Sequence, residues 1–301
     1  MANPLYGQNS FDNSIGAKGE LVKNGGIPRQ DQYGMAPVGG LIQPPFGDYI
    51  GYAATTKDAV NLADADPYSE SASQLFPLGT TLSWGDRVFK YAQMDGAVTA
   101  GMCLQQPVLV ANHSQMSTTD AYAITTSDDT VISVETAGDT DITLNQYQEG
   151  YLWVNDGTGE GQSWKVKSNP AHDHSADASI EITVFGKVST ALVASGTSQV
   201  SLIANPYKDV LIAPVTETGA LVGVTNIDMT DDYYGWIQVR GPKAVLAAST
   251  LVLGHRCVRN DTTTAGAVMA DNGDDLLQIA GTVMAGNVVD GEYCMIDLSI
   301  A

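Results

Sequence analysis

Residues 232–258, DYYGWIQVRGPKAVLAASTLVLGHRCV, decide how the rest of the chain is read. Trp236, Gln238 and Arg240 alternate with Ile237 and Val239, the period-2 pattern of a strand with one buried face. Gly241-Pro242 is expected to end that strand, because proline fixes φ and donates no amide while glycine tolerates turn geometry. The apolar run from Val245 to Leu253, interrupted at Ala248-Ser249-Thr250, then reads as short strands about a shallow turn. The product is a small β unit with an aromatic anchor and no catalytic side chain. A weaker echo lies at residues 78–104, where Trp84-Gly85-Asp86 opens an alternating strand from Arg87 to Ala92 and a glycine turn leads to another apolar strand.

The same grammar runs through the chain. Its 301 residues include 31 Gly and 12 Pro, with 16% charged residues, a mix that favours short strands and turns over long amphipathic helices. The expected fold is all-β: a β-sandwich or small-barrel-like domain with an inserted β domain and an extended N-terminal arm. The arm is residues 1–77, where Gly25-Gly26, Pro28, Pro37, Gly39-Gly40, Pro44-Pro45, Gly47, Pro67 and Pro77 break any periodicity. Such a segment buries too little apolar area alone to offset its ordering entropy. Leu5, Tyr6, Phe11, Tyr33, Phe46, Tyr49 and Tyr52 punctuate it as anchors for a partner surface, and one short helix is expected over residues 57–66.

The core β domain takes residues 78–115 and 204–301, and the insertion residues 116–203. Short strands are read at 130–134, 141–144, 180–185, 191–194 and 200–203. Within the insertion, GYLWV (150–154) and SWKVK (163–167) flank the turn cluster NDGTGEG (155–161) and read as a hairpin. The closing residues 293–300 set Met295, Asp297 and Ser299 on one face and Ile296, Leu298 and Ile300 on the other. Trp84, Trp153, Trp164 and Trp236 are expected in the structural core.

A formal net charge of −20 argues against gripping nucleic acid or an anionic membrane, since such binders need a basic face to displace counterions. The imbalance is local. Between Tyr91 and Trp164 there is no Lys or Arg, while Asp95, Asp120, Asp128, Asp129, Glu135, Asp139, Asp141, Glu149, Asp156 and Glu160 lie there; a solvated face is expected. Cys103, Cys257 and Cys294 sit in apolar runs without metal-ligand spacing and read as buried free thiols. Neither a signal peptide nor a run of about 18 apolar residues is present, so a chain made soluble in the cytoplasm and not exported by a standard signal is expected.

Catalytic signatures are lacking. His172-Asp173-His174 is the compact histidine cluster, but it reads as a surface tract because no third ligand is identifiable near it. Gly157, Gly159 and Gly161 lack the Lys-Ser/Thr of a P-loop and read as a hairpin turn. Asp271-Asn272-Gly273-Asp274-Asp275 falls out of register for an EF-hand loop. Neither Gly-x-Ser-x-Gly nor His-Glu-x-x-His occurs. No enzymatic activity, cofactor or metal is expected.

Several segments resemble bacteriophage capsid decoration (cement) proteins. They are Leu78-Gly79-Thr80-Thr81 with Arg87-Val88-Phe89-Lys90-Tyr91, the run Gly150-Tyr151-Leu152-Trp153-Val154-Asn155-Asp156-Gly157 with Gly159 and Gly161-Gln162, Tyr234-Gly235-Trp236-Ile237-Gln238-Val239-Arg240-Gly241, and the closing Asp297-Leu298. The resemblance spans residues 78–301 and rests on fold-maintaining patterns. It implies a β-rich, homotrimeric virion protein on the outer capsid surface that clamps neighbouring capsomers of the major capsid protein. A phage tail or head-fibre component and a carbohydrate-binding β-rich adhesin are the alternatives.

Overall fold

The computed structural model describes residues 65–123, 130–135, 140–194, 197–273, 277–285 and 291–300. The arm anchors Leu5, Tyr6, Phe11, Tyr33, Phe46, Tyr49 and Tyr52, and residues 57–64 of the expected helix, lie outside them.

The fold is all-β. Among the described residues there is one 3-10 turn (Ala111–His113), no α-helix, and seventeen strands: β1 (Glu70–Ser71), β2 (Thr81–Trp84), β3 (Arg87–Gln93), β4 (Cys103–Gln105), β5 (Met116–Ser117), β6 (Thr130–Val134), β7 (Tyr151–Gly157), β8 (Ser163–Ser168), β9 (Ile180–Phe185), β10 (Ser198–Ile203), β11 (Leu211–Ile212), β12 (Leu221–Thr225), β13 (Tyr234–Leu246), β14 (Arg256–Arg259), β15 (Val268–Ala270), β16 (Ile279–Ala285) and β17 (Tyr293–Ser299). They form two curled antiparallel sheets, one of eleven strands and one of six.

The larger sheet is organised on β13. Gly235 pairs with both Ala92 of β3 and Glu70 of β1, so those strands lie on opposite edges of β13. By the same reasoning Gln238 lies between Phe89 and Val224 of β12, and Arg240 between Val88 and Ser299 of β17. β3 therefore covers one edge while β1, β12 and β17 follow one another along the other.

The expected stop at Gly241-Pro242 does not occur: β13 runs through it for 13 residues. Pairing with β3 ends at Arg240, so Pro242 stands where the strand has β17 on one edge only, a position that tolerates a missing N–H. Gly241 has φ +82°, and a Cβ there would lie 2.3 Å from the carbonyl oxygen of Asp86 at the β2–β3 turn. The bent strand is closed by the buried Gln238, whose Nε2 lies 2.9, 3.1 and 3.0 Å from the carbonyl oxygens of Arg240, Gly241 and Pro242. The next strand begins at Arg256, after an irregular stretch in which Val252 and Leu253 are exposed.

Every strand of the smaller sheet, in the order β5-β10-β7-β8-β9-β6, comes from residues 116–203, the stretch read as an insertion. Its core, including Ile132, Leu152, Val166, Ile182 and Leu202, is separate from the two clusters beneath the larger sheet. The β7–β8 hairpin needs glycine at 157, where φ is +80° and a Cβ would lie 1.6 Å from the carbonyl oxygen of Thr197. Residues 141–144 and 191–194, expected as strands, contribute single bridges, Ile142 with His172 and Leu192 with Tyr122.

Three further expectations are corrected. Residues 66–77, assigned to the arm, pack on β13: β1 pairs with it, Asn226 Nδ2 donates to the Pro67 carbonyl, and Phe76 is buried with its ring centroid 5.0 Å from Tyr91 and 5.1 Å from Trp236. Trp164 and Trp236 are buried and Trp153 is half-buried, but Trp84 is 50% exposed. It closes the outer end of β2, whose sole ladder partner is β3, and so lies beyond the reach of the aromatic cluster. Of the acidic block, Asp95, Asp120, Glu135, Asp141, Asp156 and Glu160 are exposed, whereas Glu149 is buried and used as a joint.

Candidate interaction surfaces

The outer face of the β13–β17–β16 segment is apolar. Strict alternation along β17 buries Cys294, Ile296 and Leu298 and turns Tyr293, Met295 and Asp297 outward. Register then sets Leu246 beside Tyr293, and Ala244 and Ala285 on either side of Met295. A bulge between Val283 and Ala285 pushes out Met284. Tyr293, Met284 and Met295 are 51%, 47% and 40% exposed, and the Tyr293 ring lies so close over Gly101 that a Cβ there would be 2.6 Å from it. Exposed charges bound it at Asp297 on β17 and Arg240 on β13; Lys243, opposite the buried Ile296, has its amine pulled down to about 8 by burial and then by the Arg87 charge.

A second surface gathers at the β2–β3 turn. The rings of Tyr68 and Trp84 meet edge to face at 6.2 Å, and the Arg87 guanidinium lies 5.9 and 5.6 Å from their centroids and donates to the Tyr68 hydroxyl. Both rings keep large areas in water, presenting apolar faces with polar handles. Tyr68 belongs to the stretch assigned to the arm, so nothing in the local sequence pairs it with Trp84.

The two sheets are tied by a buried carboxylate. Glu149 accepts hydrogen bonds from the Leu78 amide (3.2 Å) and Gln74 Nε2 (2.8 Å), while its own carbonyl accepts from Asn205 Nδ2. Lys165 lies within its field; burial pulls the lysine amine down to about 8, and the Glu149 charge opposes that shift. The Lys165 ammonium also sits 4.4 Å from the Tyr151 ring centroid. Nearby, Pro107, Val108, Tyr147, Leu202 and Asp209 line a cavity of about 90 Å³, and burial pushes the Asp209 carboxyl up.

The histidine tract is corrected in one respect. Asp141, distant in sequence, lies beside Asp173 and His174, and the three offer ligand atoms within 4.8 Å of one another. His172 is instead buried. The other sequence motifs have structural roles: Gly157, Gly159 and Gly161 all take positive φ in a turn, Asp271 pairs with Arg256, and the three cysteines are buried and free. No family model, curated protein or solved structure matches the chain.

Proposed function

We propose that the protein is a non-enzymatic virion component that binds the outside of a phage head and stabilises the major capsid protein lattice. The observation that carries this reading is the outer face of β13, β17 and β16, where Ala244, Leu246, Met284, Tyr293 and Met295 form a charge-free apolar patch rimmed by polar groups on a strongly acidic chain. Exposed apolar patches of this kind are characteristic of protein docking sites. Repulsion between copies and partners at net charge −20 favours docking through the surface that carries no charge. The resemblance of residues 78–301 to decoration proteins supplies the partner and the homotrimeric state.

The test adds purified protein to heads stripped of it and scans for rupture. Wild-type protein should raise the rupture temperature, because a ligand of the intact lattice stabilises it by mass action. Tyr293→Asp with Met295→Asp should abolish that protection while the free protein stays folded with a lowered thermal midpoint, since both side chains are only about half exposed and the Tyr293 ring rests on Gly101. Equal protection by the double variant would reject this face. The exposed Tyr68–Trp84–Arg87 group favours a second reading, a carbohydrate-binding adhesin; glycan-array binding that is lost in Trp84→Ala, with no head protection by wild type, would select it.

A further inference from the structure

Two loops of the smaller sheet meet at a single antiparallel bridge. Ile142 N donates to the His172 carbonyl at 3.0 Å and His172 N to the Ile142 carbonyl at 2.8 Å, and both residues are buried, so the backbone there is pinned from beneath. In an antiparallel pair the residues flanking a hydrogen-bonded couple stand directly opposite each other at the closer of the two spacings. The residue before Ile142 is Asp141 and the residue after His172 is Asp173. The fold thus forces two carboxylates together, an arrangement that is unfavourable between like charges unless a cation joins them.

The protein supplies no lysine or arginine from either loop: none occurs in residues 92–163 or 168–186. It supplies an imidazole. The His174 backbone N–H donates to Asp141 Oδ1 at 2.9 Å and places His174 Nδ1 2.7 Å from the same oxygen. Asp173 is oriented by Ser175, whose amide and hydroxyl both donate to Asp173 Oδ1 at 2.9 and 2.6 Å. The result is one nitrogen and two carboxylate donors, contributed by two loops that the bridge holds in fixed register, all within 4.8 Å of one another and open to solvent.

We propose that Asp141, Asp173 and His174 bind a divalent ion of the zinc type and clip the two loops together. The imidazole selects against calcium and magnesium, which take all-oxygen sets, and the mixed nitrogen and oxygen donors suit zinc with water completing the coordination. The site stands independently of the role proposed for the apolar face.

The experiment is calorimetric titration of the full, tag-free, chelator-treated chain with zinc chloride alone. One saturable site per chain is expected, and calcium chloride should give none. His174→Ala and Asp173→Asn should each weaken zinc at least tenfold, with unliganded thermal midpoints near wild type because both side chains are exposed. X-ray absorption at the zinc edge of the loaded wild-type protein, which needs no variant, should show a nitrogen and oxygen shell at about 2.0–2.2 Å. Absence of saturable zinc binding, undiminished affinity in His174→Ala, tighter calcium binding, or a sulfur shell from the cysteines would each overturn the proposal.

Discussion

Trp236→Ala and Trp84→Ala should have very unequal consequences, although both residues open or occupy alternating aromatic strands. Trp236 is 3% exposed, and its ring centroid lies 5.1 Å from both Phe76 and Tyr91. Tyr91 is its cross-strand partner on β3, whereas Phe76 arrives from residues 66–77, whose ladder pairing is the two-residue β1 and which are otherwise held by hydrogen bonds that reach Tyr91, Glu149, Asn226 and Thr230. Truncating a buried tryptophan costs about 3–5 kcal/mol through lost transfer energy and the cavity left behind. Of this, each aromatic contact supplies about 0.5–1.5 kcal/mol beyond its buried area. For a body of the size of residues 66–301, about 2–4 °C is lost per kcal/mol, so the midpoint should fall by about 6–20 °C. Trp84 is 50% exposed and packs on Tyr68 and Arg87 at the surface, so its truncation should cost about 1 kcal/mol or less. Paired urea and calorimetric melts of the two variants decide the matter. A Trp236→Ala protein within about 1 kcal/mol of wild type, or a larger loss in Trp84→Ala, would refute the assignment of the aromatic cluster as the centre of the large sheet.

Glu149→Ala should destabilise by about 1–3 kcal/mol for the Leu78 amide it leaves buried without an acceptor; urea unfolding that shows no loss would remove the joint between sheets. Lys165 gives a pH signature. Its folded amine titrates near 8 and its unfolded one near 10.4, so between those values the unfolded chain holds a proton the folded chain has released, and stability rises with pH by up to about 1.4 kcal/mol per unit. Below pH 8 the amine is charged in both states and the contribution is constant. Unfolding free energies at pH 7.5 and 9.5 should therefore increase more in wild type than in Lys165→Met, and equal increments would show that the amine is not held in that environment. Gly157→Ala meets both a left-handed backbone and the Thr197 carbonyl, and a loss of about 1–3 kcal/mol is expected from the strain alone; an unchanged melt would mean that the β7–β8 turn differs from that described.

Where one strand carries its own signal, the sequence was sufficient. β17 alternates without exception, so its buried and exposed faces follow from period 2 alone, and β6 and β9 have the bounds that their β-branched runs suggest. Gly-Pro reads as a stop in an isolated strand; the Gln238 amide that closes the bend, and the Asp86 carbonyl whose close approach requires glycine at 241, both lie outside that dipeptide. Trp84 and Trp236 look alike locally because depth in a sheet depends on how many strands lie beyond, a property of the pairing order.

The candidate sites show the same division more sharply. The outward Tyr293 and Met295 follow from alternation, yet their union with Ala244 and Ala285 requires the register of three strands. Asp141 and Asp173 are separated by 31 intervening residues, and neither sequence neighbourhood has ligand spacing. They are brought face to face only because Ile142 and His172 exchange two backbone hydrogen bonds. A histidine tract judged by its own spacing will therefore be undercounted whenever the missing ligand flanks the opposite side of a bridge. The feature that recovers it is the buried residue within the tract: His172 turns inward, anchors the backbone, and obliges Asp173 to face whatever precedes Ile142.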